Sequence, residues 1–182
     1  MEKTLVIHPD DHSTDFLKPI YSDITDATVI TGGISKEEIR EMIKQHDRVI
    51  MLGHGSPNGL FSIGKFHSNE GFLGMIIDHT MVEALRGKKD NLYIWCHANQ
   101  FVERHNLNGF YSGMFISEYG EAAAYSVKCK EGDIEQSNEL FASIIGKNIL
   151  KESKQLCEDA KSLYYIQDNL VNEYNKQRLN WR

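Results

Sequence analysis

Residues 49–61, VIMLGHGSPNGLF, open on four apolar residues, Val49 to Leu52, and stop abruptly at Gly53-His54-Gly55. A run that is apolar throughout, rather than at alternate positions, marks a strand whose sheet is covered by helices on both faces. Parallel pairing follows from that, with crossover segments between strands. Other short β-rich runs fall where this pattern needs them: Thr4–Ile7, Ala27–Thr31 (ATVIT), Leu92–Trp95 (LYIW) and AAAYSV at 122–127. Between them, Ser35 and Glu38 form a capping box ahead of a helix whose buried stripe is Ile39, Met42 and Ile43. A helix starting at Ser13 is limited by Pro19, and FLGMIIDHTMVEALRGK reads as a short extended piece and then a helix from Asp78 to Arg86, stopped by Gly87. HANQFVERHNLNG (97–109) reads as a loop and FYSGMFISEYG (110–120) as a helix. Helices are expected from Ile134 to about Leu150 and from Ser153 to about Leu179.

The expected fold is therefore α/β: a three-layer sandwich around a mostly parallel sheet of about five strands flanked by helices. One domain over residues 1–182 is expected, with the C-terminal helices of 134–182 packed on or beside the sheet through Leu163, Tyr164, Ile166 and Leu170. The length of the last helix suits a homodimer contact.

Composition narrows the class. The formal net charge is -6, and its 20 Lys and Arg are scattered without a basic stripe or interleaved aromatics, which argues against nucleic acid as a partner. No window approaches the twenty or so apolar residues of a membrane-spanning helix, and MEKTLVIHPDD has none of the features of an export leader, so a cytoplasmic setting without a membrane is expected. Cys96, Cys129 and Cys157 lie far apart, odd in number and without C-x-x-C spacing, and are read as thiols. No cofactor motif is present, because the glycines of NGFYSGMF lack the order and the Lys of a phosphate-binding loop.

In a parallel α/β sheet, ligands gather beyond the carboxyl ends of the strands. Those ends carry His8-Pro9-Asp10-Asp11, Gly53-His54-Gly55-Ser56 and Cys96-His97. A thiol becomes a useful nucleophile when an imidazole within reach takes its proton. If the strands before His54 and Cys96 are neighbours, the two side chains leave one edge about 4.8 Å apart. The flanking glycines allow close backbone approach, and the Gly55 amide is placed to donate to a developing oxyanion. Asp10, Asp11, Ser56 and His97 border the same edge as candidates for binding or orienting a peptide or protein substrate.

With VIMLGHG carrying His54 and Gly55, and LYIWCHA carrying Cys96 about forty residues later, the sequence resembles the caspase-hemoglobinase fold of clan CD cysteine peptidases, which includes caspases, legumain, gingipains and CHAT domains. GFYSGMFISEYGEAAAYSV is similar to the helix and strand that follow the cysteine in CHAT-like members, so the likeness spans roughly Val49 to Val127. It implies a cysteine peptidase with His54 as base or imidazolium partner, Cys96 as acyl-forming nucleophile and Gly55 at the oxyanion. The sequence departs from the family in lacking a Q-A-C-x-G signature and in placing Ile94 and Trp95 ahead of the cysteine. It supplies no residues for a side-chain specificity pocket. A non-catalytic member that binds a peptide or protein is the alternative of a different class.

HPDD, in turn, resembles the metal-binding opening of the LmbE/PIG-L deacetylases, which implies zinc held by His8 with Asp10 or Asp11. The continuation, His12 and then STDFL, departs from that family's motif. His67, His79, His97 and His105 stand at no spacing diagnostic of zinc. Taken singly, Cys96 reads as a small buried hydrophobe, His54 as a turn residue and Ser13 or Asp15 as a helix cap; it is their placement at successive strand ends that raises the dyad above these.

Overall fold

The structure is a computed structural model that describes residues 3–63 and 74–182. Among the described residues, nine strands run in chain order: Thr4–Ile7 (β1), Thr28–Ile30 (β2), Arg48–Leu52 (β3), Gly55–Ser56 (β4), Gly59–Phe61 (β5), Met75–Ile77 (β6), Leu92–Ile94 (β7), Phe110–Ser112 (β8) and Leu179–Trp181 (β9). Six of them form one sheet in the order β2-β1-β3-β7-β8-β9, parallel throughout except for β9, which runs against β8. The other three form a small antiparallel sheet, β4-β5-β6, that grows out of the chain just past His54.

The helices are Lys36–Gln45 (α1), Val82–Leu85 (α2), Ala98–His105 (α3), Tyr119–Ala124 (α4), Asp133–Asn148 (α5), Ser153–Leu163 (α6) and Leu170–Lys176 (α7), with 3-10 turns at His12–Ile20 and His79–Met81. Alternate strand residues feed opposite cores, as the two-residue period of a strand requires. Leu5, Ile7, Val49, Met51, Tyr93 and Trp95 pack with Ile39 and Ile43 of α1 and Phe101 of α3. Val6, Ile50, Leu52, Leu92 and Ile94 pack on the other face with Leu17, Phe141 of α5 and Leu156 of α6. Helices therefore cover both faces, and the unbroken apolar run at Val49–Leu52 is buried on both sides. The capping box at Ser35 and Glu38 and the cap at Asp78 form as expected.

The second half of the chain departs from the expectation in four places. Residues 97–109 are not a loop: Ala98, Phe101 and Val102 share one buried face of α3. FYSGMFISEYG is not a helix but begins with β8, because Phe110 and Tyr111 are paired on both sides, by β7 and β9. AAAYSV supplies the end of α4 rather than a strand. The likeness of this stretch to a helix followed by a strand is thereby reversed: the strand comes first. The long final helix is broken after Leu163, where Asp168 takes a positive φ of 59° and Asn169 caps α7, and the chain ends on β9. The sheet accordingly has six strands rather than five. Leu163 and Leu170 point to solvent, while Tyr164 is buried. Phe72 and Leu73, which were expected to start an extended piece, lie outside the described residues.

A ladder of buried asparagines replaces the missing apolar face of that final segment. Asn169 Nδ2 donates to Asp133 O (2.8 Å), Asn172 Oδ1 accepts from Ile166 N (2.8 Å), and Asn175 both accepts from Ile116 N (2.7 Å) and donates to Ile116 O (2.8 Å). Asn175 thus ties α7 to the segment that follows β8. Asn175→Ala strands both buried backbone groups of Ile116 and is expected to lower stability by about 2–4 kcal/mol, measured by urea denaturation; a change within experimental error would show that the bond pair contributes nothing.

Candidate functional site

β3 and β7 lie side by side and parallel, with Leu52 opposite Ile94, and the ladder continues one step further through Gly53 N to Ile94 O (3.1 Å). His54 and Cys96 are each two residues beyond that last pair, so they leave the same edge at equivalent positions. Both line one narrow crevice with Thr14, Phe16, Phe115 and Ser117. Its free space of about 20 Å³ is that of a single water molecule.

The two glycines around His54 have separate causes. Gly53 has φ +140°, a conformation that side chains disfavour, and it sits against Pro9 and Leu60. A Cβ on Gly55 would run into the Trp95 ring and the Gly59 carbonyl. Trp95 itself is core: 2% exposed, edge-on to Phe101, with its indole N–H donating to Ser56 O (3.1 Å).

The imidazole is anchored by residues of the first strand end. His54 Nε2 lies 2.6 Å from Ser13 Oγ, whose own partner is Asp11 Oδ1 at 2.9 Å; the other Asp11 oxygen is 3.9 Å from Nε2. Burial alone would raise the pKa of Asp11, but hydrogen bonds from Ser13 and the charge of a protonated His54 outweigh it and hold the carboxyl below its ordinary value. Ionised, Asp11 only accepts, so the Ser13 proton goes to it and Ser13 Oγ accepts in turn from Nε2–H. That fixes the tautomer: the lone pair is left on Nδ1. The helix start is capped by Asp11, not by Ser13 or Asp15, which frees the Ser13 hydroxyl for His54. The signal for this in the sequence is D-x-S, a turn in which the acid binds the backbone and hydroxyl two residues on.

Cys96 is held differently. Its thiol donates to Phe115 O at 3.5 Å and lies 3.7 Å from Glu121 Oε1, with no hydrogen bond to His54. Burial, followed by the charge of Glu121, pushes the thiol up to about 12, so the resting group is neutral. Glu121 is fixed by Ser117, whose backbone N–H (2.8 Å) and hydroxyl (3.2 Å) both donate to its Oε2. Sequence reading assigned no role to Glu121, because nothing local to it shows that α4 folds back onto the end of β7.

The remaining candidates lie outside the crevice lining. Ser56 makes a turn, its hydroxyl accepting from Asn58 N (3.2 Å). His97 has a left-handed φ of 66° at the start of α3 and lies 3.2 Å from Tyr125 OH. Asp10 is exposed, with its backbone N–H on Thr31 O. His8 is 2% exposed and has both ring nitrogens engaged, Nδ1 with Tyr21 OH (3.0 Å) and Nε2 with Thr14 Oγ1 (3.1 Å). It therefore has no free lone pair for zinc, and no three His, Cys, Asp or Glu among the described residues are grouped to hold a metal. His67 lies outside the described residues.

No family model and no curated protein matches the sequence. Among solved structures, the chain is similar to an NADPH-quinone reductase from P. pentosaceus, 11% identical over 96% of this chain and 98% of that one, with a TM-score of 0.29, too loose a likeness to carry an argument.

Two predictions follow from the charges. Burial first, then Lys18, lowers the His8 pKa from 6.5 to about 4. The unfolded chain takes up this proton near 6.5 and the folded chain only near 4. Between those values the unfolded state binds more protons, so stability falls as the pH is lowered, by roughly 3 kcal/mol over the window. Urea denaturation should show this, and His8→Gln should flatten it. Glu121→Gln removes the charge that opposes the thiolate, so alkylation of Cys96 by iodoacetamide should set in at lower pH than in the parent; an unshifted profile would rule out that electrostatic role.

Proposed function

We propose that the chain is a cysteine-dependent hydrolase of the caspase-hemoglobinase type that cleaves peptide bonds through Cys96 and His54. The observation that carries this is the presence of both groups at equivalent ends of adjacent parallel strands, lining one crevice, with the His54 ring anchored through Nε2 so that Nδ1 holds the lone pair. In the reaction, the thiol leaves Phe115 O, its proton passes to His54 Nδ1, and a sulfur–carbon bond forms at the substrate carbonyl. Asp11, acting through Ser13, stabilises the imidazolium. The carbon–nitrogen bond then breaks and the amine departs with the proton from His54. Water attacks the thioester, giving one proton to His54, and the acid leaves as that proton returns to the Cys96 sulfur.

Gly55 suits the oxyanion role. His54 O accepts from Phe61 N (2.9 Å), and alternation along an antiparallel pair directs the amide of Gly55, opposite Leu60, away from β5. The three free thiols and the lack of any described helix long and apolar enough to cross a membrane fit a reducing, cytoplasmic setting.

One observation favours a second reading, a caspase-like module that binds a peptide without cleaving it: the thiol is neutral at rest. A panel of peptidyl acyloxymethyl ketones with acidic, neutral and basic residues beside the warhead separates the two. Catalysis predicts labelling at Cys96 that is lost in Cys96→Ala and slowed at least about 100-fold in His54→Ala. Ser13→Ala should slow it about tenfold, with recovery in Ser13→Thr, since only the hydroxyl relay is at stake. Labelling at the parent rate in His54→Ala would sink the catalytic reading.

A further inference from the structure

The break between α6 and α7 leaves apolar side chains on the outside of the protein. Leu163 is 55% exposed, Tyr165 65% and Leu170 49%. Among the described residues, three of the eight large apolar side chains left exposed thus fall within eight consecutive positions, a concentration that marks a contact face. Tyr165 and Leu170, together with Ile166, line a recess of about 600 Å³.

The recess is held in shape from within. The N–H groups of Tyr165, Ile166 and Asn169 donate to Leu163 O (2.9 Å), Asn172 Oδ1 (2.8 Å) and Ile166 O (3.3 Å). Asn169 Oδ1 accepts from Asn172 N (2.9 Å), and its Nδ2 ties the turn to Asp133 O (2.8 Å). With those backbone donors already paired, a covering partner meets side chains rather than the edge of a sheet. Lys176 Nζ lies 5.8 Å from the centre of the Tyr165 ring, which keeps the ring beside the recess, a knob next to a hole on one face.

Charge decides what the partner is. The lining carries Lys161 and Lys176 together with Asp168 and Glu173, two of each sign. The chain as a whole stands at -6, so two copies repel on average, and a face whose own charges cancel is where that repulsion is least. Under a two-fold axis the same patch serves both copies, and cations of one can lie against acids of the other. A strongly acidic or strongly basic partner finds no such match, because half of the charges it meets have its own sign.

We propose that the chain forms an isologous homodimer through this face, the Tyr165 ring of each copy seated in the recess of the other and Lys161 and Lys176 opposed to Asp168 and Glu173. The assignment is independent of the chemistry at Cys96, since no residue of the face lines the crevice. It places the contact on the α6–α7 break and not on the open edge of β9.

Sedimentation equilibrium of the full chain from about 1 to about 100 µM tests this, with a monomer–dimer equilibrium expected inside that range. Two variants each leave three like charges on the face. Asp168→Asn/Glu173→Lys is positive, and asparagine suits the left-handed φ of 59° at position 168; Lys161→Gln/Lys176→Glu is negative. Alone, each should weaken the dimer at least about 30-fold in Kd, whereas an equimolar mixture should form a heterodimer about as tight as the parent, a recovery that loss of folding does not produce. Tyr165→Ala should weaken the parent dimer about tenfold, and Tyr165→Phe should leave it unchanged. A parent that is monomeric throughout the range overturns the proposal. So does a parent dimer indifferent to all four charge changes, as a contact through β9 would be, and so does a mixture of natively folded variants that stays monomeric.

Discussion

The register of β3 against β7 is the constraint on which the crevice depends, and it is set at the opposite end of the strands. Asn91 Oδ1 accepts from Val49 N (2.8 Å), while its Nδ2 donates to Tyr93 OH (3.1 Å). Beside it, the buried Arg48 donates to Asp90 O and Ile149 O, both at 2.6 Å. These bonds allow one alignment. A slip of a single residue would turn every β3 side chain to the other face and place the apolar set of one core in the other. With the alignment fixed at Asn91, a run of buried residues carries it along both strands to Leu52 and Ile94, and the following dipeptides deliver an imidazole and a thiol to the same rim.

Two carboxylates reach that pair by different routes. Asp11 reaches His54 through Ser13 and anchors its ring. Glu121 lies beside Cys96 and disfavours the thiolate. The resting arrangement is therefore a neutral thiol turned toward a backbone carbonyl.

The first half of the chain was legible because local signals and tertiary demands agree there. Val49–Leu52 is apolar because both faces are buried, and Ser35 with Glu38 caps a helix whose stripe is Ile39 and Ile43. In the second half they conflict. Ala122, Ala123 and Ala124 were read into a strand because Tyr125 and Val127 follow, although alanine favours helix. The apolar spacing of Phe110–Ser112 suits a helix, whereas what decides its structure is pairing with β9, about seventy residues away and invisible to any local window. The strand-end dyad was read from residue types at the ends of two well-signalled strands. Ser13, Glu121 and Asn138 were not, because each acts through a partner more than twenty residues distant.

That division has a consequence for how the site is built. The dyad comes from the parallel strands of the first half, but the wall that shapes its surroundings comes from the segment after β8. Ile116 is clasped by Asn175 through both backbone groups. Phe115 packs at a tilt against Phe141, with 4.6 Å between ring centres, and stacks on Phe16 at 6.3 Å. Ser117 is held by Glu121 and by Asn138. Three successive residues are thus pinned, Phe115 by α5, Ile116 by α7 and Ser117 by α4 and α5, and none of these helices carries His54 or Cys96. The two ends of the sheet are coupled, because Arg48, beside Asn91 at the far end, donates to Ile149 O at the C-terminal cap of α5, the helix that also carries Phe141 and Asn138. One helix, α5, thus bears on the register of β3 through its C-terminal cap and on the wall beside Cys96 through Phe141 and Asn138, so a change in its position is felt at both ends of the sheet.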